Sequence, residues 1–441
     1  MKKVLMITPA FPPIGGSHMH RVVNFANSIA KIGIELHVIA CEPSPGHPNI
    51  DYGSKELVDN RIKVYYVPEG ILHRSVYNSM SICKNELKSK KLVLYRLRNK
   101  LYELGNKFKK RLLIPDTMID WYFSVLRYLR ENNLIEKIKP EAIISCSMPN
   151  TVHIISYRLV KKYNLKLIMD YGDPWVYEKS VKRGKIRFML EHYIEKKILK
   201  KASLVCFATK ATRDLYVKEY NLKPEMTTVA MMGFYTEDID KDKNSIYNYP
   251  TSEYLIMIYG GSLNPAHRDP LPFFEALNHL QGFIRNKLRI YLRVDDVSSI
   301  SRLVKLYNLE DIITVKGYIP FSEYLNEMKN CDVLILFGNN SSMQIPGKLF
   351  NYIGTGMRIL YIKNMDEHEY DDVEEILRKY GNVTFAQNNV SSVLDAILSL
   401  YKEKINGNIK RISVDHILEY SWQNQALIFA KAVLNIINNN K

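Results

Sequence analysis

Between Cys331 and Ile362 the chain passes through an apolar run, a turn, a helical pattern and a second apolar run, and this unit restricts the possible folds more than any other stretch. Cys331 to Phe337 (CDVLILF) has the β-branched, uninterrupted apolar character of a strand buried on both faces of a parallel sheet. Pro346 and Gly347 turn the chain, and Lys348 to Ile353 then reads as a helix with Leu349, Phe350 and Ile353 on one side. Gly354 and Gly356 end it, and Arg358 to Ile362 (RILYI) begins the next strand. Backbone N–H groups at that helix start would open onto the carboxyl edge of the sheet, where open α/β sheets hold anionic ligands, with Lys348 adding a positive charge. An ordinary strand-turn-helix unit without a ligand has the same local pattern.

The same alternation runs through the rest of the chain. Val4 to Thr8, a helix from about Val22 to Ile32 and Glu35 to Ala40 form an opening βαβ unit. In the loop between them, Gly15 and Gly16 let the backbone approach a ligand, and His18, His20 and Arg21 stand within reach of it. The loop lacks the G-x-G-x-x-G spacing of a dinucleotide fingerprint. Further strands are expected at Arg61 to Val67, Ala142 to Ser147, Lys166 to Asp170, Ser203 to Ala208 and Thr227 to Met231, with helices at Ile114 to Leu129, Asn150 to Tyr163, Arg183 to Lys201 and Thr209 to Tyr220. The strand at Lys166 runs into Asp170, Tyr171, Gly172, Asp173, Pro174 and Trp175. Two carboxylates and an aromatic at a strand's carboxyl end either bind hydroxyls and stack on a sugar or base, or serve as a helix cap and a core residue. Residues 236–252 are polar and aperiodic and read as a linker. Beyond it the pattern restarts with Leu255 to Tyr259, Gly260, Gly261, Ser262 and a loop containing Arg268. Expected there are helices at Leu271 to Leu280, Ser298 to Tyr307 and Ser322 to Asn330, and strands at Arg289 to Val294 and Ile312 to Val315, the last ending at Gly317 and Tyr318. Ser421 to Ile437 reads as a terminal amphipathic helix. The expected fold is α/β, two Rossmann-like doubly wound domains facing across a cleft: residues 1–235 completed by the helix in 421–441, and residues 253–420.

The charge needs a partner. With 62 Lys and Arg against 46 Asp and Glu, the 441 residues carry a formal +16, which suits nucleic acid, an anionic membrane surface or phosphorylated substrates. Lys84 to Arg111 alone holds eleven Lys or Arg and two Glu, with Leu92, Tyr95, Leu101, Leu104 and Phe108 near helical spacing. It is either a helix lying on anionic headgroups or a solvated helix of its own domain. No aromatic and glycine signature of an RNA-binding sheet and no finger motif accompanies the charge, which leaves nucleic acid the weakest partner. No apolar run reaches the ~18 residues of a membrane span, and prolines 9, 12 and 13 break the apolar start before a signal core could form. Five scattered cysteines without a C-x-x-C pair point to reduced thiols in a cytosolic protein and away from a zinc site. The adjacent Asp295 and Asp296 resemble a metal-binding D-x-D only superficially.

Taken in order, these segments resemble the retaining family 4 glycosyltransferases with a GT-B-type fold. PAFPPIGGSHMHR is similar to the family's first glycine loop, and IPDTMIDW and DYGDPW resemble the P-D...W and D-x-R-D-P-W segments of a bacterial surface-polysaccharide branch. YGGSLNPAHRDPLPFFEAL resembles its donor-phosphate loop, IPGKLFNYIGTGMRIL its nucleotide-sugar helix, and YSW with the terminal helix the segment that crosses back onto the first domain. The resemblance implies an enzyme moving a sugar from a UDP- or GDP-linked donor to a lipid-linked or saccharide acceptor, without a metal, peripherally attached to the inner face of the membrane. It assigns Arg268, Lys348 and Asp173 to catalysis. Gly16, Gly261, Ser262, Gly317, Tyr318, Ile345, Pro346, Gly347 and Asn351 would hold the donor, and His18, Arg21, Asp170 and Trp175 the acceptor. The strand carrying Asp295 and Asp296 would lie away from the phosphates. Two positions depart from the pattern: Met343 and Asn351 stand where the family has a pair of glutamates, and Gly172 stands where it has arginine or histidine. A binding or scaffold protein that kept the two-domain form is the alternative those departures raise.

Overall fold

The computed structural model describes residues 1–44, 47, 49–70, 113–179, 181–236, 253–263, 267–280 and 282–439. The basic stretch 84–111, Cys83 and nearly all of the expected linker lie outside the described residues. The chain divides into two compact units, Met1–Met231 with Gln425–Lys441, and Met232–Asn424.

The first unit is built on a seven-stranded sheet in the order β3-β2-β1-β4-β5-β6-β7. Its strands are β1 Lys3–Ile7, β2 Glu35–Glu42, β3 Lys63–Pro68, β4 Ala142–Ser147, β5 Lys166–Tyr171, β6 Ala202–Phe207 and β7 Thr227–Val229. All neighbours pair in parallel. Buried on both faces, the central strands send alternate residues to opposite cores: Leu5, Ile7, Ile143 and Met169 to one, Val4, Met6, Ile144 and Ile168 to the other. The terminal helix Trp422–Asn438 adds to the second of these cores, with the Phe25 and Phe429 rings stacked at 4.4 Å.

The second unit carries a six-stranded parallel sheet in the order β10-β9-β8-β11-β12-β13. Its strands are β8 Leu255–Gly260, β9 Leu288–Arg293, β10 Ile313–Lys316, β11 Val333–Phe337, β12 Arg358–Lys363 and β13 Val383–Gln387. The helix Lys348–Thr355 joins β11 to β12. In both sheets the chain starts at the centre, moves outward, then returns to the other side of its first strand. The switch points therefore lie between β1 and β4, and between β8 and β11.

The two largest differences from the sequence expectation are these. The helix expected at Ile114 begins only at Trp121, because Asp116 is drawn elsewhere: its carboxylate accepts from Thr151 N (2.9 Å) and Thr151 Oγ1 (2.7 Å) at the start of the helix Thr151–Tyr163. Between β12 and the terminal helix, where the sequence pattern assigned nothing, lie helix Asp372–Tyr380, β13 and helix Val390–Ile405. Side chains of Asp371 and Asn389 cap the two helices by accepting from Val373 N and Ser392 N.

Candidate functional site

The second unit brings its charged residues together at the switch point. β8 ends in Gly260, and Gly261 follows it at φ 126°, a region open to glycine and strained for other residues. A Cβ on Gly261 would stand 2.5 Å from Lys348 Nζ, so the missing side chain is what lets the lysine lie against the turn. Lys348 Nζ donates to the Tyr259 hydroxyl at 2.7 Å and sits 3.9 Å from the centre of its ring. That hydroxyl in turn donates to the Ser262 carbonyl at 2.7 Å. Arg268 donates from Nε to Asn339 Oδ1 at 2.7 Å, and Asn339 Nδ2 donates to the Gln344 carbonyl at 2.9 Å. The loop after β8 and the loop after β11 thus hold the arginine between them.

Neither cation is neutralised by a carboxylate: among the described residues, Arg268 and Lys348 make no ion pair. Burial, then the charge of Arg268, pushes the Lys348 ammonium well below the usual lysine range, with Asp295 opposing. Arg268 and the Lys348 amine thus stand without a salt-bridge partner among the described residues, the lysine at the amino end of a helix with no acidic residue in its first turn, where negative charge is favoured. The coupling to Asp295 corrects one expectation. The carboxyl end of β9 lies beside that of β8, which puts Asp295 near the lysine rather than away from it. Asp296 instead caps the helix Val297–Leu306, accepting from Ser299 N at 3.0 Å.

The other donor-side residues fall around this focus or beside it. Ile345, Pro346 and Gly347 lead into the helix, and Asn351 lies half-exposed within it. Ser262 is exposed. Gly317 and the exposed Tyr318 follow β10 at the edge of the sheet, where the Gly317 carbonyl accepts from Arg293 at 3.4 Å. Tyr259, Asn339 and Gln344 were not singled out from the sequence. The signal for Tyr259 and Asn339 was position, at or just past the end of a buried strand, while Gln344 lies further along the loop after β11.

In the first unit, Arg21 and Asp170 are both fully buried and bind each other through two contacts, Nε to Oδ2 at 3.1 Å and Nη2 to Oδ1 at 2.6 Å. Arg21 also donates to the Ala230 carbonyl at 2.6 Å and lies 4.5 Å from the Phe25 ring centre. This pair ties the helix Ser17–Lys31 to β5 and to the segment after β7; expected to hold the acceptor, both side chains are closed off from solvent and engaged with each other. Trp175 is likewise wholly buried in the core, so of its two readings the core one holds. No helix follows directly for Asp173 to cap; it lies half-buried in the turn after β5.

His18 and Gly172 explain each other. A Cβ on Gly172 would stand 3.0 Å from both Cε1 and Nδ1 of His18, so the imidazole occupies the room a side chain at 172 would need. Burial lowers the His18 pKa to about 4, with Asp170 opposing, and keeps the ring neutral near pH 7. Gly16, exposed at φ 122°, stands just ahead of it at the start of the helix Ser17–Lys31. Among the described residues, no cluster of three or more His, Cys, Asp or Glu could hold a metal ion, and no helix is long and apolar enough to cross a membrane.

The fold these two sheets define is the GT-B fold, and solved structures share it over the whole chain. Sucrose-phosphate synthase from Thermosynechococcus elongatus matches with a TM-score of 0.66 and 14% identity, covering 99% of this chain and 100% of that one. A glycosyltransferase from Rickettsia africae matches at 0.65 and 12%, covering 100% and 99%. Anabaena HepE in complex with UDP and glucose matches at 0.61 and 11%, covering 100% of each chain. No protein-family model and no curated protein sequence matches the chain.

Proposed function

We propose that the chain is a retaining glycosyltransferase moving a sugar from a UDP- or GDP-linked donor to a lipid-linked or saccharide acceptor in the assembly of a bacterial surface polysaccharide. The observation that carries this reading is the pair of cations without carboxylate partners, Arg268 and Lys348, at the glycine turn of the second unit's switch point. A diphosphate needs such a site most when it leaves. As the bond between the anomeric carbon and the phosphate oxygen breaks, the electron pair passes to the phosphate, and the two cations counter the charge that develops there. The acceptor hydroxyl attacks the same face and gives its proton to the departing phosphate, so no protein nucleophile is required. Arg268, and Lys348 once a bound diphosphate restores its proton, would do the neutralising, and turnover is proposed to be independent of metal. Tyr318 and Gly317 would border the base, Asn351 would accept from ribose, and Asp173 and the neutral His18 would meet the reacting sugar and its acceptor. Solved structures of similar fold include complexes with UDP and UDP-glucose, which supports a nucleotide-sugar donor. The acceptor's lipid portion would bring the protein to the inner face of the membrane.

The test is incubation with a panel of nucleotide sugars, with and without a chelator. Slow release of UDP or GDP that survives the chelator is expected. Met343 and Asn351, standing where glutamates are usual, favour the second reading of a non-catalytic binding protein, and tight nucleotide-sugar binding with no turnover under any acceptor would establish that reading instead.

Diphosphate binding should also move a proton. Because Lys348 is depressed in the free protein, it loses its charge as pH rises through that lowered pKa, and a bound diphosphate restores it. Affinity for UDP or GDP should therefore fall above that pH while binding takes up a proton. Calorimetry in buffers of different ionisation enthalpy should give buffer-dependent heats that Lys348→Met abolishes; buffer-independent heats in the unaltered protein would contradict the placement of Lys348 on the diphosphate.

A further inference from the structure

The helix Lys185–Leu199 of the first unit is inside out. Its buried face carries Glu191 and Glu195 together with Ile198 and Leu199. Its outer face carries Ile186, Met189, Leu190 and Tyr193, exposed by 80, 64, 45 and 63%. Positions 186, 189, 190 and 193 follow the i, i+3, i+4, i+7 spacing of a single stripe. The helix cannot roll to hide it, because the inward carboxylates are anchored. Glu191 accepts from Arg183 at 2.8 Å and from Arg187 at 2.5 Å, and Glu195 accepts from the hydroxyls of Tyr216 and Tyr220. Exposed lysines stand at both ends of the stripe, Lys182 and Lys185 before it and Lys196, Lys197 and Lys200 after it.

An apolar stripe bounded by cations fits one kind of partner best. A second copy meeting this face by two-fold symmetry would set like-charged lysines against each other. A bilayer surface carrying anionic headgroups accepts both parts at once, apolar side chains among the acyl chains and ammonium groups at the phosphates. We infer that Ile186, Met189, Leu190 and Tyr193 insert into an anionic membrane surface, with the flanking lysines on its headgroups. This rests on the membrane-attached enzyme proposed above and goes beyond it by assigning the surface, with insertion as well as charge holding the protein down.

The experiment is flotation of the full chain with phosphatidylcholine vesicles and with vesicles that also contain phosphatidylglycerol. The unaltered protein should float with the anionic vesicles alone, and the variant Ile186→Ser/Met189→Ser/Leu190→Ser should lose at least roughly tenfold in partitioning. Its melting temperature and its rate of nucleotide-sugar hydrolysis in vesicle-free buffer should be unchanged, since the three side chains face outward. A second variant, Lys182→Glu/Lys185→Glu, should lose the preference for anionic vesicles. If the triple variant floats as well as the unaltered protein, the surface is wrong while membrane attachment stands. If the unaltered protein floats with neither vesicle, attachment and surface fall together. A dimer in sedimentation that the triple variant breaks would overturn the lipid assignment in favour of a second copy.

Discussion

Arg268→Ala should lower the rate of sugar transfer by roughly 100- to 1,000-fold, the loss seen when one preorganised group that stabilises developing charge is removed. The effect should fall on kcat more than on KM. The ground-state diphosphate is also held by Lys348 and by the amides that follow Gly347, whereas the second charge on the leaving phosphate appears only as the bond breaks. Arg268→Lys should recover part of the loss, because a charge returns without the guanidinium fork that Asn339 orients at 2.7 Å. Folding should be little affected: the side chain is half-buried and makes no ion pair among the described residues, so the melting temperature serves as the control. A variant that transfers sugar at the unaltered rate would remove Arg268 from the reaction and leave the cation pair without its proposed purpose.

Arg21→Ala should act on stability instead, costing about 3–5 kcal/mol as it strands a buried Asp170 carboxylate without its partner. Against the ~5–15 kcal/mol that holds a typical domain folded, this is enough to leave the protein poorly populated or unfolded. The measurement is the urea midpoint of unfolding, and the diagnostic companion is Arg21→Met/Asp170→Leu. Removing both charges should restore most of the lost stability, because a buried pair replaced by apolar groups of similar size is close to neutral. If Arg21→Ala were instead as stable as the unaltered protein but impaired only in acceptor use, the pair would belong to the acceptor site after all.

Much of the scaffold was legible because its signals are local. The uninterrupted, β-branched apolar run at Val333–Phe337 has the length and composition of a strand covered on both faces, and Pro346, Gly347 and Gly356 punctuate the helix that follows it. Lys348 was legible as a candidate for the same reason, since it follows a strand end and a glycine turn, where the direction of a parallel sheet already decides which edge it occupies, whereas Arg268 was named through the resemblance of its loop to a donor-phosphate loop. The helices at 372–380 and 390–405 carry a local signal too, the capping side chains of Asp371 and Asn389 at their starts.

The remaining assignments turned on partners far away in the chain. Arg21 and Asp170 are 149 positions apart, and nothing near either residue distinguishes a ligand-binding charge from one sealed in the interior. Likewise it is His18, distant in the chain, that fills the place of a side chain at Gly172, and the pairing of β9 with β8 that brings Asp295 to the same sheet edge as the glycine turn. The outward stripe at 186–193 has no sequence signature of exposure at all, since the helix is oriented by what Glu191 and Glu195 bind. The sequence alone determined the order of strands and helices, the glycine turns and the strand ends that carry the cations, because backbone preference and hydrophobic period are settled within a few residues. Only the tertiary structure decided which charges are buried in pairs, which stand unneutralised and which apolar side chains face outward, because burial and pairing depend on groups that the chain brings together from a distance.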